Sequence, residues 1–543
     1  MRHRRRLTIL VFVLAVVAAA CTTGDSEGDT TTTTRAADTT VAPDTTTTTV
    51  ATATTTVATA EATTGPSGSV RFLIAENFWA DWDPYQHTAQ SQARIEAQIF
   101  DYLVDVPDTG APPVPMLATE WTQIDDRTWE FVLREGVIFH DGSAFDAADV
   151  KASIELASGA TDVATLQAGS WISTTVEIID DLTVRLTSEE PFASLFAQLR
   201  STIIVSADDL ANNAEAIKAQ PNGTGPFRLV ANEPARKVME ANTDYWQGAP
   251  QIQSLTWEFI GDPDTRLSAL LAGQADVIDR VPPQHLQVIE GSDNLVLDSV
   301  TGIESVNLFV LPGRLPIWDE NHAFREAVMR SIDREGLVTG LIQGASAVAT
   351  SFLPTETLYH QVGDPAYSRD VDAAQALLAE AGVPDGGPEF ELWVASGFLP
   401  RAEEVGAAIL ANMEEVGLKP KLVVTDLSAM IDDIFTDDGT GAVYHLSWSS
   451  NGDPFSHAFV YSETFAWFFG DERLQELIDL SATTTNPTER ERVVLELQSY
   501  MWEQLWHVPL YNSDFSVARN SRLVGLDVRP NFQTLFYPAS ISE

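Results

Sequence analysis

The stretch "MLATEWTQIDDRTWEFVLREGVIFHDGSAFDAADVKASIE", residues 116–155, decides how the rest of the chain is interpreted. In "RTWEFVLREG" the large apolar residues Trp129, Phe131 and Leu133 alternate with Thr, Glu and Val. This period-two pattern predicts a β-strand with one face against a core. A second run of the same kind, "LTVRLTSEEP" at residues 182–191, predicts another strand after the helical segment that follows the first one.

Helices are predicted both within this stretch and, in regular alternation with strands, in the second half of the chain. "FDAADVKASIELAS" begins a helix with Asp146 as N-cap and Asp149 in the first turn, where negative charge suits the helix dipole. "FREAVMRSIDREG" predicts a helix that ends at Gly336, and "NPTERERVVLELQSYMWEQLW" one that begins at Asn486 and Pro487. "DAAQALLAEAGVP" and "EEVGAAILANMEEVGLKPKLVVTDL" add two more helices, the latter followed by a strand. The sequence therefore predicts α/β lobes with helices covering sheets.

The composition describes a large, acidic, folded protein. The chain has 543 residues, 44% of them apolar, which is enough for two or three domains. Lys and Arg number 32 against 78 Asp and Glu, for a formal net charge of −46. Nucleic acid is excluded as a partner, because phosphate backbones are bound through clusters of Lys and Arg. The excess negative charge keeps the protein soluble.

The first residues, "MRHRRRLTILVFVLAVVAAAC", have the features of an export signal. A basic head precedes the apolar stretch 7–20, which at about 14 residues is too short to span a bilayer. The three Ala before Cys21 are similar to a lipobox, although the usual Leu is replaced by Ala18. We expect residues 1–20 to be a signal peptide and Cys21 to be lipidated. Plain secretion is the alternative, and the pair Arg5 and Arg6 also allows a twin-arginine route.

A Thr-rich segment, residues 21–67, follows the leader. It has almost no large apolar side chain, so it cannot bury enough surface to offset its ordering entropy, and we expect a disordered tether. A flexible chain of about 47 residues has a mean reach of roughly 35 to 40 Å. Because Cys21 is the only cysteine, no intrachain disulfide framework is expected.

Motifs of enzymes, cofactors and metals are missing from the sequence. It contains no G-x-S-x-G, G-x-x-x-x-G-K or H-E-x-x-H pattern. "GTGPF" at residues 223–227 lacks the third Gly of a dinucleotide fingerprint, so it predicts a backbone turn. The nine His are scattered, and even the nearest pair, His445 and His457, is far apart in sequence. We expect a protein that is not an enzyme and has no cofactor and no dedicated metal site.

Residues 116–155 resemble the signature region of the extracellular solute-binding proteins of family 5, the dipeptide, oligopeptide and nickel-type receptors of ABC importers. The similarity continues in family order through essentially all of the chain after residue 68. The further matching segments are "WDPYQ", "QIFDYLV", "GTGPFRL", "DTRLSALLAGQADV", "AFREAVMRSIDREGLV", "AQALLAEAGVPDG" and "NPTERERVVLELQSYMWEQLWHVPLYN".

The resemblance implies an α/β fold like that of type II periplasmic binding proteins, with two lobes and a hinge. Lobe one would comprise residues 68–302 and 508–543, with an extra subdomain at about 111–220. Lobe two would comprise residues 303–507. The connections between lobes would run through "ESVNLFV" and "HVPLYN".

The implied function is that of the solute receptor of an ABC importer. A small solute or peptide that contacts both lobes only when they close would drive the hinge by its differential affinity for the closed form. The receptor would then deliver the solute to a membrane permease without breaking a bond. We expect a monomer outside the cytoplasm, held at the membrane by the lipid on Cys21.

The segment "HLSWSSNGDPFSHAFVYS", residues 445–462, corresponds to a ligand-binding loop of the peptide-binding relatives. There the loop carries a Trp, two small residues and an Asp that binds the peptide amino terminus. Here Trp448, Ser449 and Ser450 lead directly to Asn451, and the amine-binding Asp is absent. An unpaired ammonium is costly to desolvate, so we expect peptides with a free amino terminus to bind poorly. Asp453 could replace the missing carboxylate or could be a turn residue.

The resemblance also implies ligand contacts outside this loop. "DWDPYQHTAQ" is similar to the segment that lines the cleft from lobe one, so Tyr85, His87 and Thr88 are candidates, with a surface turn as the alternative. Arg401 is a candidate to bind a carboxylate ahead of a helix, with a solvated Arg as the alternative. Trp448 could instead be a core ring near the hinge, and "FAWFFG" at 465–470 is predicted to be core.

Three other functions remain open at the level of sequence. The same fold could bind a non-peptide ligand such as an opine, a sugar or oligosaccharide, or a metal chelate. It could serve as a sensor or adhesin without a transporter. A secreted hydrolase is the alternative from another class, and the absent nucleophile motif argues against it.

Overall fold

The computed structural model of the protein describes the region from residue 65 to near the C-terminus, and Pro66–Glu543 form one compact unit. The predicted signal peptide, Cys21, most of the tether, His87, Thr88 and Ser450 lie outside the described residues. The described residues are 65–75, 85, 90–107, 109–161, 165, 170–213, 218–343, 346–363, 366–396, 398–436, 438–449 and 451–542.

Helices occur along the whole described region, and none of those described is long and apolar enough to cross a membrane. A π-helical turn, Leu337–Leu341, and a 3₁₀ turn, Phe459–Tyr461, accompany them. The α-helices are α1 (Gln90–Ile99), α2 (Ala147–Ala157), α3 (Leu195–Leu199), α4 (Ala207–Asn212), α5 (Pro263–Leu271), α6 (Pro283–Glu290), α7 (Pro316–Glu320), α8 (His322–Ser331), α9 (Arg334–Gly336), α10 (Val371–Glu380), α11 (Ala402–Glu415), α12 (Leu427–Phe435), α13 (Pro454–Ala458), α14 (Glu472–Thr483) and α15 (Pro487–Gln504).

The strands form one large mixed sheet, one four-stranded sheet and three short pairs. The strands are β1 (Ser69–Ile74), β2 (Val104–Asp105), β3 (Val114–Pro115), β4 (Ala118–Gln123), β5 (Thr128–Leu133), β6 (Thr174–Asp180), β7 (Thr183–Ser188), β8 (Phe227–Glu233), β9 (Arg236–Ala241), β10 (Ser254–Phe259), β11 (Val277–Asp279), β12 (Leu295–Val310), β13 (Ser346–Val348), β14 (Glu389–Ala395), β15 (Lys419–Thr425), β16 (Val443–Ser449), β17 (Val508–Asn520), β18 (Leu523–Val524), β19 (Asp527–Val528), β20 (Thr534–Leu535) and β21 (Ser540–Ile541).

The large sheet has the strand order β15-β14-β16-β12-β17-β11-β1-β10-β9-β8, with β13 also paired to β17. β14 runs parallel to both β15 and β16, and β1 runs parallel to both β10 and β11. The long antiparallel strands β12 and β17 lie between these two parallel groups and pair with each other. They are therefore the connection through which one lobe continues into the other.

The ladder between β12 and β17 is interrupted in the middle. The pairing register shifts between Thr301 and Glu304, which is a β-bulge, and bulges bend a strand locally. Gly302 lies in this bulge, where a Cβ atom would come within 2.2 Å of the Ser513 carbonyl oxygen. Only glycine fits this close approach of two backbones.

Buried side chains divide into separate cores on the two sides of the bulge. One core contains Val70, neighbouring apolar residues and Phe515. The core of the other lobe runs in sequence from Val306 to Tyr511. A further core, from Leu103 to Ile204, lies under the four-stranded sheet β4-β5-β7-β6. Along β12 and β17, the buried side chains thus pass from one core to the other within a few residues.

Local sequence signals predicted several elements correctly. The strands of "RTWEFVLREG" and "LTVRLTSEEP" are β5 and β7, and they pair with each other. Asp146 caps α2, accepting a hydrogen bond from the Ala148 backbone N–H at 2.7 Å, and the Asp149 carboxylate accepts from the Asp146 backbone N–H at 2.9 Å. Asn486 caps α15 in the same way. The predicted helix starts at Asp146 and Asn486 and the alternating strands are therefore confirmed, and Asp146 with Asp149 also forms a capping box.

The predicted helix through "FREAVMRSIDREG" is wrong in its second half. The helix α8 ends at Ser331, because Ile332 is extended with φ −86° and ψ 126°. Asp333 then caps a new turn, and its carboxylate accepts a hydrogen bond from the Gly336 backbone N–H at 2.9 Å. An Asp side chain that bonds nearby backbone competes with helix continuation, and this competition divides the segment.

Candidate functional site

A cavity of about 120 Å³ lies beside the two long strands, and residues from both lobes line it. The cavity is next to the bulge, since Ser513, which lines it, is opposite Glu304 in the ladder. Lining residues include Arg280, Leu297 and Asp514 on the lobe one side and Ile342, Ser346 and Pro400 on the lobe two side, and Tyr511 lines the cavity from β17.

The topology explains why polar groups meet at this position. The parallel strands β14 and β16 end at Ala395 and Ser449, and ligands of open α/β sheets bind outside the carboxyl ends of such strands. The helix α11 begins shortly after β14, so Pro400 and Arg401 lie in the connection that follows the strand end. The cavity thus lies next to the connection that follows the carboxyl end of β14 and next to the hinge strands β12 and β17.

Arg280 directly follows β11 and has an unusual backbone conformation. Its φ is 44°, in the left-handed region that costs free energy for a residue with a side chain. The neighbouring Arg266 supports this turn, because its Nη2 lies 3.5 Å from the carbonyl oxygens of both Asp279 and Arg280. The Arg280 side chain is only 14% exposed, and its guanidinium lies 5.3 Å from the centroid of the Phe532 ring.

Glu304 is the buried carboxylate of the bulge. It pairs with Ser449 on one side and Ser513 on the other, and its Oε1 accepts a hydrogen bond from Ser447 Oγ at 2.8 Å. Its Oε2 lies 4.0 Å from Nη1 of Arg280, which is a loose ion pair between the lobes. This pair balances the charge of the cavity wall and orients the guanidinium.

Tyr511 lines the cavity from β17 with a buried hydroxyl. The residue is 2% exposed, and its hydroxyl has no hydrogen-bond partner among the described residues. Burial raises the pKa of the phenol well above its usual range, and the nearby Glu304 carboxylate adds to the effect. The hydroxyl is therefore a buried, protonated donor without a partner among the described residues, on a side chain that lines the cavity.

Asp514 also lines the cavity and is half-buried. Burial raises the pKa of its carboxyl group, and Glu356 raises it further. Among the described residues, no Lys or Arg forms an ion pair with this carboxylate. The cavity wall thus contains the Arg280 guanidinium and, at a separate position, the Asp514 carboxyl group.

Trp448 and Ser449 are the last residues of β16. The Trp448 ring is half-buried and meets Phe465 edge to face at 5.6 Å, as part of the packing against the core of lobe two. Its indole N–H has no hydrogen-bond partner among the described residues. Ser449 is half-buried at the strand end, opposite Glu304. Both residues remain predicted ligand contacts.

Asn451 and Asp453 contact protein groups in this structure. Asn451 Nδ2 donates to the Ala197 carbonyl oxygen at 2.9 Å. Asp453 is 6% exposed, and Arg490 Nη2 donates to both of its carboxylate oxygens at 2.9 and 2.8 Å. It also caps α13 by accepting from the Phe455 backbone N–H at 2.9 Å. This geometry favours the turn role of Asp453 over a ligand role.

Tyr85 and Arg401 have structural partners as well. Tyr85 is fully buried and its hydroxyl donates to the Ile203 carbonyl oxygen at 2.8 Å, so the geometry favours a core role over both the ligand contact and the surface turn. Arg401 has φ 54°, and its Nη1 donates to the Leu341 carbonyl oxygen at 3.2 Å. It is adjacent to the cavity residue Pro400 and remains a predicted carboxylate contact.

Sequence analysis missed the residues that line the cavity most closely. Tyr511 lies within "HVPLYN", which was identified only as a connection between lobes, and the alternation of β17 could have indicated its face. Arg280 follows "DVID", and no local pattern marks it, because its position results from a backbone conformation fixed by tertiary contacts.

A set of hydrogen bonds joins α3 to the loop before α13, near one end of the cleft. Ser194 Oγ donates to Asp453 Oδ1 at 2.7 Å, and Gln198 Nε2 donates to Ser456 Oγ at 2.8 Å. With Asn451 bound to Ala197, these contacts connect α3 and the residue before it with α13 and the loop that precedes it. They hold these two segments, which are distant in sequence, against each other.

Removing these contacts is expected to open the protein. Ser194→Ala removes the hydrogen bonds of Ser194 Oγ with the charged groups of Asp453 and Arg490, and Gln198→Ala removes the neutral bond to Ser456, about 4 to 7 kcal/mol in sum. The closed population of the free protein should fall, and the radius of gyration from X-ray scattering should rise. Thr175→Ala, on the four-stranded sheet, is the control. An unchanged radius in the double variant would contradict the role of these contacts.

Comparison with known protein families and sequences gives a consistent result. The family model for bacterial extracellular solute-binding proteins, family 5 Middle, matches residues 112–466. The chain is 27% identical over 481 residues to the glutathione-binding protein GsiB of Salmonella paratyphi A, an alignment that covers 84% of this chain and 91% of GsiB.

Solved structures share the fold. The dipeptide binding protein from Pseudoalteromonas sp. SM9913, in complex with Met-Leu, has a TM-score of 0.78 and 21% identity, covering 88% of this chain and 100% of that one. The binding protein AgaA from A. tumefacien R10, in complex with agropinic acid, has a TM-score of 0.75 and 24% identity, with 88% and 99% covered. The two-lobed α/β architecture of these proteins is also that of this chain.

Proposed function

Because the chain belongs to the bacterial extracellular solute-binding proteins of family 5, it is a solute receptor of the kind that serves ABC importers, and we propose that it captures its solute in the hinge cavity. In this proposal β12 and β17 bend at the bulge around Gly302. A solute that contacts both lobes binds the closed form more tightly than the open form, and this difference drives closure.

The single observation that carries this proposal is the cavity lined by both lobes beside the hinge. Its volume of about 120 Å³ is smaller than the roughly 300 to 1,000 Å³ of typical ligand sites. Entry of a solute of peptide size therefore requires the lobes to move apart. The bulge and the short set of contacts at Asp453 are consistent with such a movement.

We propose the following organisation around this site. Residues 68–302 and 508–543 form lobe one with a subdomain at about 111–220, and residues 303–507 form lobe two, as the division of the cores supports. Family members act outside the cytoplasm. Residues 1–20 are a signal peptide, Cys21 is the lipid anchor, and the tether up to residue 67 lets a monomer reach the permease.

The ligand contacts we propose in this loop and next to the cavity are Trp448, Ser449, Asn451 and Arg401. Tyr85 and Asp453 are left out, because their polar groups are buried and bonded to protein groups. The names of the relatives mention glutathione, a dipeptide and agropinic acid, so both a peptide and a non-peptide ligand such as an opine are compatible with this fold. An oligosaccharide, a metal chelate or a sensor role is not favoured by any contact described above.

Small-angle scattering together with mass spectrometry of copurified molecules tests the receptor proposal. A bound molecule identified by mass spectrometry is removed by partial unfolding and refolding, and is then added back. The radius of gyration should rise on removal and fall on re-addition. A protein that copurifies with no small molecule and has a constant radius across a broad metabolite library would contradict capture by closure.

Dipeptides with a free amino terminus are expected to stabilise the protein only slightly. The loop after Trp448 has no carboxylate for the ammonium group, and Asp453 is paired with Arg490. With a Kd above about 1 mM, 100 μM Gly-Leu contributes less than about 0.06 kcal/mol, a thermal shift well below one degree. Differential scanning fluorimetry measures this shift.

The matched variant for this prediction is Ser450→Asp, which adds a carboxylate next to Asn451. It is expected to give a larger Gly-Leu shift than the wild-type protein. A shift of several degrees in the wild type would contradict the prediction and would indicate Asp514, the carboxylate of the cavity wall, as the partner of the ammonium group.

A further inference from the structure

We propose that Arg280 and Tyr511 bind a carboxylate group of the solute, so that the receptor selects monocarboxylates whose other end carries no second negative charge. This inference rests on the proposed function, since it specifies the chemistry of the same cleft.

Arg280 has the properties of a preorganised anion-binding group. Its backbone is held at φ 44°, and such conformations persist only where the surrounding structure fixes them, often at ligand sites. Arg266 fixes the turn through the Asp279 and Arg280 carbonyl oxygens. The guanidinium is mostly buried, stacks near Phe532 and lines the cavity. A planar guanidinium matches a carboxylate in geometry and stays charged at all physiological pH values.

Tyr511 supplies the second donor. Tyr511 lines the cavity, and its buried hydroxyl has no hydrogen-bond partner among the described residues. Leaving a buried hydroxyl without a hydrogen bond is unfavourable, so a ligand acceptor at this position recovers that free energy. Ser346 and Ser513, on the neighbouring strands, line the same cavity and add hydroxyl groups to the wall.

The charges around the cavity limit the ligand to one negative charge. Glu304 lies 4.0 Å from Arg280 and already balances part of its charge. Asp514 also lines the cavity, and Glu356 is close enough to raise the pKa of its carboxyl group. A dianion such as a phosphate monoester would be repelled by the Asp514 carboxylate in the cavity wall and would find the Arg280 charge already partly balanced by Glu304. A ligand with a single carboxylate next to Arg280 and a neutral or apolar remainder avoids this repulsion.

The cavity also contains apolar surface for that remainder. Val281, Pro283, Leu286 and Leu297 line it from lobe one, and Ile342 and Pro400 from lobe two. Apolar side chains that surround a few fixed polar groups are typical of small-molecule sites, in which the polar groups set orientation and the apolar ones exclude water. The carboxylate is thus bound by Arg280 and Tyr511 while the lobes close on an apolar body.

The test compares acids with their own amides. A panel of monocarboxylates, each with its primary amide, is measured by isothermal calorimetry and thermal shift, with N-acetyl-Gly-Leu and N-acetyl-Gly-leucinamide as the first pair. We expect stabilisation by acids and not by the amides. Tyr511→Phe should weaken binding of an acid by about 10- to 100-fold, the loss of one hydrogen bond to a charged group. Arg280→Gln should weaken it by more than about 100-fold, with partial recovery in Arg280→Lys.

Matched controls separate binding from folding. Tyr461→Phe removes another buried hydroxyl without a partner among the described residues, but Tyr461 does not line the cavity, so affinity should not change. Tyr511→Phe deletes only an unsatisfied group, so the melting temperature of the free protein should be unchanged or higher. A purely structural role of Tyr511 would not distinguish acids from amides.

The possible outcomes distinguish this inference from the receptor function. If neutral or cationic solutes bind and acids do not, or if acids and amides bind equally, the carboxylate site is overturned and the receptor function stands. An acid affinity that is unchanged in Tyr511→Phe and Arg280→Gln also overturns the site. If no solute binds and none copurifies, both proposals fail.

Discussion

Acidification from pH 7 to pH 5 is expected to lower the free energy of unfolding by about 6 kcal/mol through His445, His457 and His507 alone. All three are at most 1% exposed in the core of lobe two. Burial lowers the pKa of His445 to about 4 and the pKa values of His457 and His507 to about 3. The unfolded chain binds protons below about pH 6.5, whereas the folded protein does not, so each histidine costs about 2 kcal/mol at pH 5.

The stability of the histidine core is therefore complete above about pH 6.5 and decreases as the pH falls towards the folded pKa values. His140, with a pKa lowered to about 4 by burial, acts in the same direction. Asp149 acts in the opposite direction. Burial raises its pKa to about 6, so protonation of the carboxylate as the pH falls stabilises the folded state. Urea unfolding at several pH values measures the net effect.

His445→Leu is the informative variant for this prediction. Neither ring nitrogen of His445 has a hydrogen-bond partner among the described residues, so an apolar side chain of similar volume loses nothing there. Between pH 7 and pH 5, the free energy of unfolding of this variant should decrease by about 2 kcal/mol less than that of the wild type. The exposed Val362 provides the control, because Val362→Leu changes no titrating group and should leave the slope unchanged. Equal pH dependence in His445→Leu and the wild type would contradict the prediction.

Arg94→Met is expected to destabilise the protein by about 3 to 5 kcal/mol, the second large effect. Arg94 and Asp279 form an ion pair at 2.5 Å in which both side chains are 0% exposed. Removing the cation leaves the Asp279 carboxylate buried without its charge partner. Asp279 directly precedes Arg280, so this ion pair also supports the backbone turn at the cavity, and calorimetry with acid ligands should reveal weaker binding.

The double variant Arg94→Met with Asp279→Asn tests the cause. Asparagine keeps an acceptor for the Ala75 backbone N–H, which donates to Asp279 Oδ1 at 2.7 Å, but carries no charge. The double variant should be less destabilised than Arg94→Met. In the exposed pair of Arg492 and Glu489, where the side chains are 58% and 52% exposed, solvent screens the charges, so Arg492→Met should lower the free energy of unfolding far less than Arg94→Met does. Additive losses in the double variant would contradict a buried-charge mechanism.

Local signals explain which elements were predicted correctly. The alternation in β5 and the caps at Asp146 and Asn486 depend on a few neighbouring residues, and so they could be read from the sequence. The break at Ile332 was missed because two local preferences compete there, the apolar face of a longer helix and the cap at Asp333. The structure resolves this competition through tertiary packing.

The site was less predictable, because its chemistry depends on residues that are distant in sequence. Asp453 looked available in the loop, but its partner Arg490 lies on α15 and Ser194 on the other lobe. Arg280 and Tyr511 come together only because β11 and β17 are neighbours in the sheet. The family resemblance predicted a ligand cleft between two lobes, whereas the residues that line the cavity could be identified only from the fold.

β17 has a consequence for how the protein acquires its fold after export. The chain leaves lobe one with β12 and returns only with β17, whose second half lies between β12 and β11 and completes the sheet. During synthesis and translocation from the N-terminus, both of these strands keep unpaired edges until the last part of the chain emerges, and such edges invite aggregation. Pairing across so long a sequence separation is also slow. Chains truncated before β17 should therefore fail to mature in either lobe, and cutting the gene at the hinge should not give two autonomous halves.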